Sequence, residues 1–277
     1  MKIAIVTDST SDLPREILSR WEIFVIPTIL VMDNESIQDD GQFSREEYYD
    51  RLPTMENLPT TAAPSVGSFE KLYQSLFDQG YEKIVSVQLA SSFSAIYNAA
   101  QTAAQAFGDR VTVVDSQQIS MALGFQALYA AQAASRGESI QSILQVIESI
   151  RSRTRLIAML DTLDYVRRSG RLSWARATIG NFLRIKPFIE VKDGRALRLG
   201  EARTRRKGIE RLHELLNEQG PLDKLAVMHS NAEQDARQFL ADLHLPSAVE
   251  TFVINVTPVI GTHVGPNGLG FTAVSIA

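Results

Sequence analysis

The 277-residue sequence contains no cysteine, which excludes disulfides, thiolate metal sites and a cysteine nucleophile. Histidine is sparse, with four residues, and no His/Asp/Glu spacing suggests a metal-ligand set. No apolar run approaches the roughly 18–20 residues that a membrane-spanning helix needs. The apolar start is broken at Asp8, so no signal peptide is expected and a cytoplasmic location is the natural expectation. The dinucleotide-binding fingerprint is missing too. GPNGLG, within Gly261–Gly270, has its glycines in the order GxxGxG and precedes the last strand-like run, the wrong order and the wrong context.

What remains is a globular composition, 44% apolar, with 28 Lys+Arg against 32 Asp+Glu. The length suits one large domain or two ordinary ones. Residues 1–158 alternate strand and helix patterns: strands at Lys2–Thr7, Ile84–Leu89 and Val111–Val114, an apolar run at Phe24–Val31, and helices at about 44–52, 66–78, 94–107, 117–136 and 139–153. Ser44 with Glu47 forms a capping box, and Phe69, Leu72, Tyr73 and Leu76 follow helical spacing. This alternation predicts βαβ units and a parallel sheet. Residues 159–277 read differently, with a hairpin at Asp193-Gly194 followed by alternating helices and strands. The expectation is an α/β protein of two domains: an N-terminal parallel-sheet domain at 1–158 and a C-terminal mixed-sheet domain at 159–277.

The net charge of −4 conceals an asymmetry. Residues 151–211 hold 17 of the basic and 6 of the acidic residues, a local +11, which leaves −15 for the rest. Fourteen of those 17 are Arg, whose planar fork suits phosphate and carboxylate. Arg151, Arg153 and Arg155 are expected to face water. Arg167, Arg168 and Arg171, and Arg203, Arg205, Arg206 and Lys207, adjoin turns and are candidates for binding. Nucleic acid is not an expected partner, because the basic stretch has no aromatic interleaving and no recognition motif. A compact phosphate or an acidic protein surface fits better.

Ligands of parallel sheets bind beyond the carboxyl ends of the strands. Three hydroxyl-rich, cation-free segments fall in such loops: Asp8–Ser11, Thr60–Ser65 and Ala90–Asn98. Ser94 is placed as an N-cap or first-turn residue, where hydroxyl and amides can hold an anion. Without Lys, Arg or His these loops suit a monoanion such as a carboxylate. The segment Gly261–Gly270 suggests irregular backbone that lets something approach closely. His263 is the one histidine in such surroundings; His213 and His244 read as structural and His229 as ambiguous.

The motifs TDSTSDLP (Thr7–Pro14), TAAPS (Thr61–Ser65), SAIYNAA (Ser94–Ala100), VVDS (Val113–Ser116), SGR (Ser169–Arg171), KPFIE followed by DG, and GTHVGPNGLG occur in this order. The ordered set resembles the DegV family, fatty-acid-binding subunits of bacterial fatty acid kinase, over essentially the whole chain. The resemblance implies a non-catalytic carrier with a long-chain fatty acid (palmitate, stearate or oleate) buried in a tunnel between two domains. It assigns the carboxylate to Thr61 and Ser94, with His263 near the head group. It implies a separate ATP-dependent kinase subunit as partner, a retained acyl phosphate passed to a downstream acyltransferase, and Arg171 and Arg203 facing that encounter. No other cofactor or metal is implied. The chain departs from the usual pattern at Ala62, Ala63, Ala95 and Ile96, which removes secondary hydrogen bonds around the head group. The alternative reading is a small-molecule phosphotransferase or hydrolase using Ser94 and His263.

Overall fold

The computed structural model describes residues 1–33, 35–170 and 185–276. The chain forms two compact units. The first comprises Met1–Ile29, Gln38–Asp40 and Thr61–Ser152; the second comprises Leu30–Ile37, Gly41–Thr60 and the chain from Arg153 onward.

The first unit is built on a parallel sheet. Strand β1 (Ile3–Asp8) is flanked by β2 (Ile23–Ile26) on one side and by β6 (Lys83–Gln88), then β7 (Val111–Asp115), on the other. All three pairings are parallel. Every residue of β1 is buried, as expected of a strand covered on both faces. Helix α1 (Arg15–Arg20) links β1 to β2, and α3 (Val66–Asp78) precedes β6. Ser65 caps α3 by accepting from the Ser68 amide at 3.1 Å, and Phe69, Tyr73 and Leu76 form its buried stripe. The β6–β7 crossover contains α4 (Ile96–Ala104), and β7 leads to α5 (Met121–Ser135) and α6 (Ile140–Arg153). Helix α5 is buried on nearly every side, and its composition of Ala, Leu and Phe is that of an interior helix. Gly124 lets it approach the neighbouring turn, since a Cβ there would fall 2.5 Å from the Ser11 carbonyl oxygen.

The second unit carries a mixed sheet of six strands in the order β10 (Arg195–Ala202), β9 (Lys186–Lys192), β8 (Thr154–Met159), β13 (Leu269–Ser275), β11 (Leu222–His229) and β12 (Glu250–Asn255). Only the β11–β12 pair is parallel. The predicted hairpin is present: Asp193 and Gly194 both have positive φ, 50° and 69°, and Lys192 pairs with Arg195. Helices α8 (Arg205–Asn217) and α9 (Glu233–Ala241) contribute Leu212, Leu215 and Phe239 to a core shared with Ile157, Val227 and Phe271. Two short helices, α7 (Asp164–Ser169) and α10 (Pro258–Val264), complete the described helices of this part of the chain.

Three features depart from the sequence expectation. The apolar run Phe24–Val31 is not one strand: it breaks at Pro27-Thr28, where the Thr28 amide turns to the Ser9 hydroxyl (3.0 Å), and continues as β3 (Ile29–Met32). Together with β4 (Glu35–Gln38) and β5 (Thr60–Ala62), β3 forms a small third sheet. The expected boundary at 158/159 falls inside β8, whereas the units change at Ser152/Arg153, and Leu30–Ile37 and Gly41–Thr60 cross into the second unit. Helix α2 (Arg45–Arg51) explains that crossing. Its Tyr48 and Tyr49 hydrogen-bond to Thr262 and to the Val256 carbonyl, and Arg45 donates to the Asn255 carbonyl. Finally, Gly261–Val264 was expected to be irregular but is the end of α10, capped by Thr257 at the Val259 amide (3.3 Å) with Pro258 in its first turn.

A fragment comprising residues 153–277 alone lacks α2 and leaves the partners of Tyr48 and Tyr49 uncovered. Urea denaturation followed by circular dichroism should show no cooperative transition for it, while the full chain unfolds cooperatively.

Candidate functional site

Two carboxylates shape the loops at the carboxyl end of the parallel sheet. Asp8, fully buried at the end of β1, accepts from the Thr10 amide (2.9 Å), the Thr10 hydroxyl (2.5 Å) and the Leu89 amide (2.8 Å). Burial raises its pKa above the usual carboxylate range, and these bonds oppose the rise. Asp115, ending β7, accepts from the Ser91 amide (3.3 Å), the Ser91 hydroxyl (2.5 Å) and the Gln117 amide (2.9 Å). Between them the Ala90 amide donates to the Gln118 carbonyl (3.0 Å), and Phe93 closes a turn onto Ala90 (3.0 Å). The chain leaving β6 is therefore fixed at Leu89, Ala90 and Ser91 before it reaches Ser94.

Ser94 lies one residue before the cap of α4. The cap position itself is Ala95, which has no side chain able to bond the first-turn amides. Ser94 is half-buried and no capping bond consumes its hydroxyl. No histidine or carboxylate among the described residues hydrogen-bonds it. Thr61 is the central, half-buried residue of β5. The capping duty of its loop falls to Ser65, so Thr61 is not explained as a cap. The third loop is consumed internally: Ser9 bonds Thr28 (2.6 Å), Thr10 bonds Asp8, and Asp12 accepts from Ser120 (2.7 Å).

His263 lies in the last turn of α10, half-buried. The glycines around it admit the protein's own side chains and backbone. A Cβ at Gly261 would fall 2.3 Å from Tyr49 Oη, at Gly265 2.3 Å from the Tyr165 ring, at Gly268 2.9 Å from Ser230 Oγ, and at Gly270 2.4 Å from the Ile157 carbonyl oxygen. The other histidines are structural or exposed. His213 stacks on Phe239, centroids 4.1 Å apart. His229 is buried and its Nδ1 accepts from the Ala232 amide (3.1 Å). His244 is exposed. Thr61 and Ser94 belong to the first unit, and His263 and Arg203 to the second.

Much of the basic stretch is committed to internal partners. Arg155 pairs with Glu190 (2.6 Å), Lys186 with Asp161 (2.5 Å), Arg211 with Glu214 (2.7 Å) and Arg205 with Asp235. Arg151 pairs with Glu148 and Arg153 donates to the Ser275 carbonyl (2.5 Å), so these three early arginines do not simply face water. Arg167, Arg168, Arg203 and Lys207 are exposed, and no ion pair engages them among the described residues. Arg171 lies outside the described residues. Among those residues no group of three or more His, Asp or Glu is arranged to hold a metal ion, and no helix is long and apolar enough to cross a membrane.

His229 generates a pH prediction. Burial lowers its pKa from 6.5 to about 4, with the Arg237 and Arg45 charges acting in the same direction and Glu233 opposing them. The unfolded chain therefore binds the extra proton first, and this contribution to stability, complete above pH 6.5, is lost as pH falls towards 4. Urea titrations should show a smaller loss between pH 6.5 and 4.5 for His229→Gln than for the wild type.

The DegV family model, described as "Uncharacterised protein, DegV family", matches residues 2–275. A DegV domain-containing protein of Listeria monocytogenes is 32% identical over 276 residues, 98% of each chain. Among solved structures, a DegV family protein from Thermus thermophilus described by its fatty acid binding superposes with a TM-score of 0.90 at 29% identity, covering all of both chains. DegV of Bacillus subtilis, described as a fatty acid binding protein, gives 0.89 at 32% identity, covering 99% of this chain and 100% of its own. By sequence and by fold, the chain belongs to the DegV family.

Proposed function

We propose that this protein is a non-catalytic carrier that binds one long-chain fatty acid and presents its carboxylate to a separate ATP-dependent fatty acid kinase. The observation that carries the reading is the start of α4. A loop held at Leu89 and Ser91 by two carboxylates leads to a hydroxyl, Ser94, next to a cap position that no side chain fills. Such a site offers hydroxyl and amide donors without a formal cation, which suits one carboxylate better than a polyphosphate. Thr61 is the second hydroxyl we assign to the carboxylate, and His263 is assigned to the head group as well. The solved relatives described as fatty acid binding support the same ligand class.

The tail dominates affinity. Each buried CH₂ contributes about 0.8 kcal/mol, so a 16-carbon chain supplies on the order of 10 kcal/mol before ordering costs. The head-group hydroxyls then set orientation and acid specificity. Arg203 and Arg171 face the kinase and the new acyl phosphate, which a downstream acyltransferase consumes. A phosphorylated head group gains charge, and Arg is the side chain suited to meet it.

Native mass spectrometry of recombinant protein should show an adduct of fatty-acid mass. Replacing both Thr61 and Ser94 with Ala should weaken binding of a C16–C18 acid about tenfold or more, as expected for the loss of two hydrogen bonds to a charged group. His244→Ala, at an exposed position, should bind like the wild type. Protein with an empty, folded binding site that ignores added C14–C18 acids would overturn the reading. So would acyl phosphate formed from ATP and oleate by this chain alone.

A further inference from the structure

The seven-residue helix that carries His263 is held at both ends by phenols from a helix more than 200 residues earlier. At its start, Tyr49 Oη donates to the Val256 carbonyl (3.0 Å), with the Thr257 carbonyl at 3.4 Å. The Tyr49 ring occupies the space that a side chain at Gly261 would need. At its other end, Tyr48 Oη lies 2.6 Å from Thr262 Oγ1, and Thr262 Oγ1 donates to the Pro258 carbonyl at 2.9 Å. A hydroxyl has one proton. The Thr262 proton is given to Pro258, so Tyr48 is the donor to Thr262.

Tyr48 and Tyr49 are 0% and 1% exposed, and their rings meet edge to face with centroids 5.4 Å apart. Burial pushes the Tyr48 phenol up to about 12, which keeps its proton in place at neutral pH. Tyr49 and Thr257 already secure the start of the helix. The bond from Tyr48 acts on the residue directly before His263, where successive side chains are about 100° apart around the axis. Two residues beyond His263, Gly265 turns to positive φ (78°) under the Tyr165 ring, so the backbone on that side is fixed as well.

We propose that Tyr48 is a positioning residue for His263: its hydrogen bond to Thr262 fixes the rotation of the last helical turn and with it the approach of the imidazole to a carboxylate head group. The inference rests on the assignment of His263 to the head group made above. It gives the crossing segment Gly41–Thr60 a part in ligand recognition besides its part in packing.

The test compares binding of palmitic acid with 1-hexadecanol, which shares the tail and lacks the carboxylate. Tyr48→Phe should lower the acid-to-alcohol affinity ratio about three- to tenfold, the range expected for one hydrogen bond, and leave alcohol binding unchanged. His263→Ala should lower the ratio at least as far, and adding Tyr48→Phe to it should cause no further fall. Thr262→Val removes the same bond from the other side and should reproduce the effect, which covers the case in which Tyr48→Phe does not fold. Tyr73→Phe, which removes a buried phenol bond to Ser86 (2.8 Å) in the first unit, should leave the ratio unchanged.

An unchanged ratio in Tyr48→Phe and Thr262→Val, with a lowered ratio in His263→Ala, overturns the inference alone. Equal weakening of acid and alcohol also overturns it, because that is the mark of a purely structural role. An unchanged ratio in His263→Ala overturns the head-group assignment of His263 and the inference with it. Wild-type protein that binds neither compound overturns the carrier reading itself.

Discussion

A carboxylate without access to water persists only where donors surround it, and Asp8 meets that condition by tying two strand ends together. One oxygen takes the amide and hydroxyl of Thr10 and the other takes the Leu89 amide. The first pair of bonds turns the chain sharply after β1; the second fixes the point at which β6 ends. Asp115 repeats the device one strand further, on Ser91. Loops at this edge of a parallel sheet would otherwise be its most variable part. Here their directions follow from buried or half-buried carboxyl groups, where an unsatisfied donor or acceptor costs more than a hydrogen bond gains. The precision of Ser94 thus derives from side chains that belong to neighbouring strands.

The same accounting identifies the hydroxyls with structural duties. Ser44, Ser65, Thr204 and Thr257 cap helices, while Ser9, Thr10, Ser91 and Ser120 bond other side chains. Ser94 escapes both duties because alanine, at position 95, holds the cap. The cap residue Ala95 makes no side-chain hydrogen bond to the first turn of α4. Glycine behaves in the opposite way in Gly261–Gly270. Its absent side chains are spent on Tyr49, Tyr165, Ser230 and Ile157, so the segment positions His263 rather than cradling a phosphate.

Local patterns read correctly from the sequence wherever a period or a turn residue decides the outcome. The buried strand Ile3–Asp8, the amphipathic helix Val66–Asp78 and the Asp193-Gly194 hairpin are of this kind. What was not legible depends on partners distant in the chain. Thr257 and Pro258 are a valid helix start, but Gly261 and Gly265 argue against a helix on propensity. Packing of Tyr49 and Tyr165 against those glycines decides the matter, and neither tyrosine is near them in sequence. The transfer of Gly41–Thr60 to the second unit likewise has no local signature beyond two adjacent tyrosines. For the candidate site, Ser94 and Thr61 were singled out by their hydroxyl-rich, cation-free segments and by the ordered motifs of the family resemblance. Tyr48 did not, because its partner Thr262 lies 214 positions away.

Charge is where composition and structure must be combined. A stretch with a net +11 suggests a large basic face, yet Arg151, Arg155, Lys186, Arg198, Arg205 and Arg211 each hold a carboxylate. Exposed pairs of this type add little stability, but they neutralise the field locally and keep their guanidinium groups from a ligand. Pairing draws acid from inside the stretch, as Asp161 and Glu190 illustrate, and from outside it, as Glu148, Glu218 and Asp235 do. The cations of this stretch without an ion pair among the described residues are thereby narrowed to exposed positions, Arg167, Arg168, Lys192, Arg195, Arg203 and Lys207. Under the proposed carrier function, in which the cargo would change from a monoanion to a more highly charged acyl phosphate, that division would be useful. On that proposal the head-group loops would recognise the acid without a cation, and the exposed arginines would meet the charge added by phosphorylation.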